Sequence, residues 1–175
     1  STGRHAIVES TIDHSLRPSG PKEGERLLPF ALPFRARRGI EMWIEGADTS
    51  RKVFVVAEIG NNHEGSASLA KEMIDLAADA GVNAVKFQAF LPEYLSGGNE
   101  ARSIALSKFH LTIDELHDLA QFAREKKVVF FSTPFDLKTA DELSRFQSVF
   151  KIASSDNDFV PLIEQVAKFD KPMII

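Results

Sequence analysis

The chain has 175 residues, 43% of them hydrophobic, which is enough for one ordinary globular domain with its own core. Its formal net charge of −4, without any block of Lys and Arg, argues against a general nucleic-acid-binding surface. The lack of Cys excludes disulfides and thiolate chemistry, and no apolar run approaches the roughly 20 residues that span a bilayer. The composition therefore favours a cytoplasmic protein that binds something small.

Residues 1–50 differ in character from the rest of the chain. They hold four of the eight prolines and show neither helical nor strand periodicity. Arg35, Arg37 and Arg38 form a local basic cluster. We interpret this segment as an irregular N-terminal arm or extension. Near its end, Trp43 and Ile44 are predicted to form a short hairpin strand that caps the bottom of the fold that follows.

From residue 51 onward, predicted strands alternate with amphipathic helices. Six of the seven residues from Val53 to Ile59 are apolar, which predicts a parallel strand buried on both faces. Glu58 is the exception, and a carboxylate at the end of a buried strand requires a partner or a ligand. Ser66 is predicted to cap the first helix. The expected buried stripe of that helix consists of Leu69, Met73, Ala77 and Ala80.

The next strand is predicted at 83–88, and a well-marked helix follows it after a loop. Thr112 and Glu115 have the spacing of a capping box, and Leu111 and Leu116 are placed for a hydrophobic staple. The predicted buried stripe of this helix consists of Leu116, Leu119, Ala120 and Ala123.

The remaining pattern predicts strands at 128–132, 149–152 and 172–175, a helix at 136–146, and a helix capped by Asp158. Four strand–helix units followed by a fifth strand are typical of an α/β fold with a parallel sheet. Because the sequence ends within an apolar strand, we expect residues 51–175 to form the N-terminal half of a TIM (β/α)8 barrel, truncated in strand 5.

Polar residues collect where each predicted strand ends, and in parallel α/β folds those ends lie on one face. The set comprises Glu58 with Asn61, Asn62 and His63, then Lys86 and Gln88, then Ser132 and Thr133, and finally Lys151, Ser154, Ser155 and Asp156. Each residue also has a structural explanation: an ion pair for Lys86 with Glu58, a turn for Thr133, and a helix lead-in for Ser154.

Taken together, two lysines, several hydroxyls and a helix start form a plausible cradle for a phosphorylated anion. A small phosphate ester is the implied ligand. No Walker-type loop or dinucleotide-binding glycine fingerprint accompanies the cradle, which disfavours ATP and NAD. His63, His110 and His117 lie on unrelated elements and lack the spacing of metal ligands.

Five ordered motifs resemble the N-terminal half of the sialic acid synthase family, in the same order and at similar spacing. They are AEIGNNHEG at 57–65, AVKFQ at 84–88, FSTPF at 131–135, FKIAS at 150–154 and KPMII at 171–175. The resemblance covers roughly Val53 to Ile175. It implies a TIM-barrel enzyme that condenses phosphoenolpyruvate with an N-acetylated amino-sugar aldehyde and releases phosphate.

The resemblance also implies roles for individual residues. It assigns phosphoenolpyruvate binding to Lys86, Thr133, Lys151 and Ser154, sugar contact to Asp156, and catalytic positions beside the reacting carbons to Glu58 and Gln88. Asp156 stands where relatives often carry Glu, so the preferred sugar stays open. A divalent metal, Mn²⁺ or Mg²⁺, is implied through two histidines on later strands beyond Ile175. The full-length protein is expected to be a homodimer.

Two alternatives remain open. In a class I aldolase, Lys86 or Lys151 would form a Schiff base with a ketone substrate, which requires a desolvated lysine with a lowered pKa. In the other, the chain is a catalytically inactive fragment or an interaction protein. We further expect residues 1–175 alone to fold poorly and not to turn over substrate, because half a barrel leaves strand edges and apolar faces without partners.

Overall fold

A computed structural model describes residues 43–49 and 51–175 of the protein. The predicted arm at 1–42, with its basic cluster, lies outside the described residues. In chain order, the described elements are β1 (Trp43–Ile44), β2 (Ala47–Asp48), β3 (Val56–Gly60), α1 (Ala67–Asp79), β4 (Ala84–Ala89), α2 (Pro92–Leu95), α3 (Glu100–Ser107), α4 (Ile113–Glu125), β5 (Val129–Pro134), α5 (Leu137–Leu143), β6 (Phe150–Lys151), a 3₁₀ turn (Ser154–Asp156), α6 (Val160–Lys168) and β7 (Met173–Ile174).

The strands after the first hairpin are parallel, as the alternating pattern predicts. β3, β4 and β5 form one sheet in that order, and β6 pairs with β7 in a second. The register places Glu58 opposite Lys86, and Gln88 opposite Thr133. The chain is thus an α/β protein, and the register brings the polar strand ends to one level.

The backbone pairing is interrupted between β5 and β6, where a buried glutamine takes the place of a neighbouring strand. The Ser132 amide N–H donates to Gln147 Oε1 at 2.9 Å, and Gln147 Nε2 donates to the Ser132 carbonyl at 3.2 Å. Lys171 Nζ donates to the Gln147 carbonyl at 2.6 Å and also to the Ser144 carbonyl. These bonds hold the two parallel sheets side by side without a continuous ladder.

The two faces of the main sheet have different surroundings. Val85, Phe87 and Phe130 face the helices and pack in the larger core with Ile74 and Leu119. On the opposite face, Ala84 and Phe131 pack with Val149 and with Ile44 of the first hairpin. The hairpin predicted from Trp43 and Ile44 is therefore present, as β1 paired antiparallel with β2, and it covers the apolar lower part of this inner face.

Local sequence signals locate the helix starts well. Ser66 accepts from the Leu69 N–H at the start of α1, and the Thr112–Glu115 capping box is complete at the start of α4. The α4 stripe is buried as predicted. In α1 the buried residues are Ala70, Ile74 and Ala77, so the predicted stripe is one position out of phase for most of its length.

Two further predictions are wrong. The first parallel strand begins at Val56 rather than Val53. Val53 is 87% exposed, and the hydrogen bonds of the preceding segment to the next strand begin only at Val55, which bonds to Asn83 and Ala84, so the segment before Val55 is not the predicted buried strand. Asp158 does not cap α6: Phe159 occupies the N-cap position without a side-chain hydrogen bond, and Pro161 sits in the first turn as expected.

Candidate active site

A polar cavity of about 550 Å³ lies at the carboxyl ends of the parallel strands. It is lined by Glu58, Gly60, Asn61, Asn62, Lys86, Gln88, Thr133, Phe135, Lys151, Ala153, Ser154 and Ser155. In a strand, alternate side chains point to the same face, so Lys86 and Gln88 enter the cavity while Phe87 between them enters the helix-facing core. The cavity therefore sits directly above the apolar layer that Phe131 and Ile44 form.

Lys86 is the most buried charged group of the cavity. Its Nζ lies 2.9 Å from Glu58 Oε2 and donates to Thr133 Oγ1 at 3.2 Å. Burial lowers its pKa, and so does the charge of Lys151, while the hydrogen bond and charge of Glu58 raise it. The Lys86 side chain is 6% exposed and that of Glu58 is 56% exposed, so the ammonium is fixed while its carboxylate partner stays open to solvent and ligand.

A second polar contact joins the loop after β3 to the end of β4. Asn61 Nδ2 donates to Gln88 Oε1 at 2.6 Å, and Asn62 Nδ2 donates to the Ile59 carbonyl at 2.9 Å. Asn61 Oδ1 is buried and has no hydrogen-bond partner. Both asparagines line the cavity, so the loop supplies part of its wall.

The conformation of the loop at 61–65 is fixed by hydrogen bonds within the loop and by its packing against Phe87 and Lys108. The Gly65 N–H donates to His63 Nδ1 at 3.1 Å, the Ser66 N–H donates to the His63 carbonyl at 2.8 Å, and the His63 ring lies against Phe87. Gly65 has φ +77, and a Cβ there would lie 2.3 Å from the Lys108 carbonyl oxygen, so only glycine fits. His63 is fully buried beneath the cavity, where burial lowers its pKa.

The loop after β6 completes the far side of the cavity. Lys151 and Ser154 both line it, and Lys151 Nζ donates to the Ile152 carbonyl at 3.2 Å. Asp156 lies in the same 3₁₀ turn but is not among the lining residues, and burial raises its pKa. Its Oδ1 accepts from Ser155 Oγ at 3.3 Å, and its buried Oδ2 has no partner.

No group of three or more His, Asp or Glu residues in the described parts of the chain is arranged to hold a metal ion. The donor set of the cavity points the same way, because Lys86 already neutralises its single carboxylate, Glu58. The described residues therefore form no site of their own for a divalent metal, and the resemblance assigns its ligands to positions beyond Ile175.

The cavity is suited to an anionic ligand. Two ammonium groups and three hydroxyl side chains line it, and only one carboxylate opposes them. Charge-assisted hydrogen bonds from such groups are the strong contacts to phosphate and carboxylate oxygens. Gln88 and the asparagines add neutral donors and acceptors on the other side, which suits a polar uncharged group beside the anion.

Comparison with known proteins identifies the family of the chain. The NeuB family model matches residues 73–175. The chain belongs to the NeuB family. One curated relative is the spore coat polysaccharide biosynthesis protein SpsE of Bacillus subtilis. It is 37% identical over 134 residues, and the match covers 70% of this chain and 36% of SpsE. N,N'-diacetyllegionaminic acid synthase of Campylobacter jejuni is 32% identical over 140 residues, covering 71% of this chain and 42% of that enzyme.

A solved NeuB-like structure matches in three dimensions as well. The N-acetylneuraminic acid (sialic acid) synthetase of Leptospira borgpetersenii, crystallised with citrate, is 35% identical with a TM-score of 0.67, covering 70% of this chain and 44% of that one. The chain thus spans about four-tenths of the length of the relatives it matches. No helix in residues 43–49 or 51–175 is long and apolar enough to cross a membrane.

The structure brings together six of the seven predicted site residues: Glu58, Lys86, Gln88, Thr133, Lys151 and Ser154. Asp156 stands apart, and the strand-end residue Ser132 faces the helices, where Gln147 holds it. Asn61, Asn62 and Ser155 also line the cavity, and the strand-end pattern had placed them on this face without assigning them a role. Phe135 lines it too and was not predicted; its position directly after the end of β5 is the signal that marks it.

Proposed function

We propose that the full-length protein condenses phosphoenolpyruvate with an N-acetylated amino-sugar aldehyde, forming a sialic-type acid and releasing phosphate. The observation that carries the proposal is the convergence of Lys86, Thr133, Lys151 and Ser154 on one cavity beside Glu58 and Gln88. Membership of the NeuB family, and its similarity to a legionaminic acid synthase and a sialic acid synthetase, support the same reaction.

In this proposal the cations and hydroxyls hold phosphoenolpyruvate. Lys86 and Lys151 neutralise its phosphate and carboxylate, and Thr133 and Ser154 fix their orientation by directed hydrogen bonds. Ligand oxygens compete with Glu58 for the Lys86 ammonium, so phosphoenolpyruvate binding leaves the Glu58 carboxylate available to the reacting carbons. These contacts orient the methylene carbon toward the second substrate.

The reaction then forms one C–C bond and one C–O bond, the latter to water, and breaks the C–O bond to phosphate. The methylene carbon attacks the aldehyde carbon, whose oxygen takes up a proton and becomes a hydroxyl. Water adds to the cationic carbon that results and loses a proton, and the tetrahedral intermediate collapses to a ketone and expels phosphate, which carries away the second proton of that water. The Glu58 carboxylate is placed either to stabilise the cation or to orient the water. Gln88 is placed beside the aldehyde.

We also propose that β3 to β7 are the first five strands of a TIM barrel whose remaining strands lie in the rest of the full-length protein. The metal, Mn²⁺ or Mg²⁺, would be held by residues of that remaining part. Homodimerisation and a cytoplasmic location follow from the family resemblance.

Phosphate release from the full-length gene product tests the proposal. Phosphoenolpyruvate is supplied with N-acetylmannosamine, its 6-phosphate or a dideoxy-diacetamido sugar, and we expect one of them to support turnover. Lys86→Met should weaken phosphoenolpyruvate binding about tenfold to a hundredfold, the effect of losing a charged hydrogen bond. Lys138→Met, at an exposed lysine outside the cavity, is the matched control. If no sugar supports phosphate release, the proposal is wrong.

One observation keeps the aldolase alternative testable. Burial lowers the pKa of Lys86, which is the condition a Schiff-base lysine requires. Against it, Lys86 Nζ is already engaged by Glu58 and Thr133. Borohydride trapping in the presence of pyruvate separates the two functions, because covalent labelling of Lys86 would support the aldolase and contradict the synthase.

A further inference from the structure

The amide of Gln88 is held in one of its two orientations by a residue from another element. Asn61 Nδ2 donates to Gln88 Oε1 at 2.6 Å across 27 residues of sequence. While Asn61 presents its Nδ2 donor, a Gln88 amide turned by 180° would place its own Nε2 donor against it. In this arrangement Oε1 is directed toward Asn61, and Nε2 is left free on the other side.

The free Nε2 of Gln88 and the carboxylate of Glu58 both lie near the position that a Cβ on Gly60 would occupy. Gly60 lines the cavity, has no side chain and has φ +57. A Cβ on Gly60 would lie 3.3 Å from Glu58 Oε1 and 3.9 Å from Gln88 Nε2. One hydrogen-bond acceptor and one donor thus flank the bare backbone of Gly60 at the cavity wall.

The Asn61 side chain lowers the stability of the loop that carries it. Its Oδ1 is buried without a partner, and burying an unpaired polar atom lowers stability. The loop has its own bonds: the Asn62 and Glu64 amides donate to the Ile59 and Asn61 carbonyls at 3.0 Å each. The Asn61 side chain donates its hydrogen bond to Gln88 and not to the loop, so its effect lies on Gln88.

We propose that Asn61 is a positioning residue that keeps Gln88 Nε2 directed beside Glu58 Oε1, where the pair binds two neighbouring oxygens of the aldehyde substrate. Gln88 Nε2 donates to a carbonyl or hydroxyl oxygen of the substrate, and Glu58 Oε1 accepts from a substrate hydroxyl group. A polyhydroxylated aldehyde carries both kinds of group. This inference rests on the proposed synthase function, because it assigns the second-substrate side of the same cavity.

The test is a double-mutant cycle in the full-length gene product. We expect Asn61→Ala to raise the KM for the sugar aldehyde about two- to tenfold, the effect of one neutral hydrogen bond, and to leave the KM for phosphoenolpyruvate within about twofold. In a Gln88→Ala background the same change should have almost no further effect, because Asn61 then has nothing to orient. Asn61→Asp keeps the shape but replaces the donor, so it should reduce activity more than Asn61→Ala.

Asn62→Ala is the matched control, since this neighbour bonds the Ile59 carbonyl and not Gln88. Its effect should be the same with and without Gln88. Equal effects of Asn61→Ala in both backgrounds would overturn the inference and assign Asn61 a loop-stabilising role. If Asn61→Ala does not fold, Asn61→Asp in the two backgrounds decides in the same way. Wild-type protein without turnover on any sugar would instead overturn the proposed function, and this inference with it.

Discussion

At the scale of single residues, the charge of Lys86 is set by three competing influences. Burial and Lys151 lower its pKa, and Glu58 raises it, with burial the largest. The native state therefore holds this proton less tightly than the unfolded chain, whose lysine titrates near 10.5. Stability consequently rises as pH increases through the lowered pKa toward 10.5, whereas anion binding, which needs the ammonium, falls over the same interval.

This leads to a pH prediction for the site. The alkaline limb of the pH profile of kcat/KM for phosphoenolpyruvate reports a group that titrates in the free enzyme, and we expect its midpoint to lie below pH 10.5. Glu58→Gln removes the charge that raises the Lys86 pKa, so the limb should move to lower pH. Glu64→Gln, which changes an exposed acid on the neighbouring loop, should leave it in place. A limb that does not move in Glu58→Gln would show that Lys86 is not the titrating group.

The residue scale also shows where sequence inference succeeds and where it stops. Glu58, Lys86 and Thr133 were identified because strand ends share a face in parallel folds, and that rule needs only the chain order. The bond between Asn61 and Gln88 needs the register of two strands and the path of a loop, which no local pattern encodes. The same rule placed Asp156 on this face, and the resemblance assigned it contact with the sugar, but its side chain instead turns back onto its own 3₁₀ turn.

At the scale of elements, the signals that succeeded are local. The α4 capping box lies within four consecutive residues, so it is visible in sequence and present in the structure. The start of β3 depends on what pairs beside it, which lies far away in sequence, and there the prediction failed. Gln147 belongs to the second kind, because a buried glutamine that replaces a strand has no sequence signature.

Substitution of Gln147 tests whether its side chain replaces a strand beside β5. Gln147→Leu leaves the Ser132 N–H and C=O without partners inside the protein, and each unsatisfied buried group costs about 1–3 kcal/mol. We expect the free energy of unfolding to fall by roughly 2–5 kcal/mol in urea titrations. Gln165→Leu, the same change at a glutamine whose bonds to Leu137 and Asp141 are exposed, should cost less than about 1 kcal/mol. Equal losses for both variants would contradict the strand-replacement role.

At the scale of the whole molecule, the main sheet has an exposed apolar border beside β3. Val53 and Val55, which precede β3, are 87% and 48% exposed. β3 and β7 each have one edge without a strand partner among the described residues. Exposed apolar residues beside such edges favour self-association. In the matched relatives this chain corresponds to 36–42% of the length, so we expect the rest of the full-length protein to cover this side.

The final prediction separates binding from turnover in residues 1–175 alone. Lys86 and Lys151 lie in one cavity, so the purified chain should bind phosphoenolpyruvate weakly by titration calorimetry. The affinity should fall steeply as salt rises from 10 mM to 1 M, because the Debye length then shrinks from about 30 Å to about 3 Å. With Mn²⁺ and N-acetylmannosamine added, we expect no phosphate release, because binding one substrate stabilises the ground state and only contacts that strengthen in the transition state accelerate the reaction. The full-length gene product under the same conditions is the positive control, and comparable turnover by the 175 residues would show that they contain the complete site.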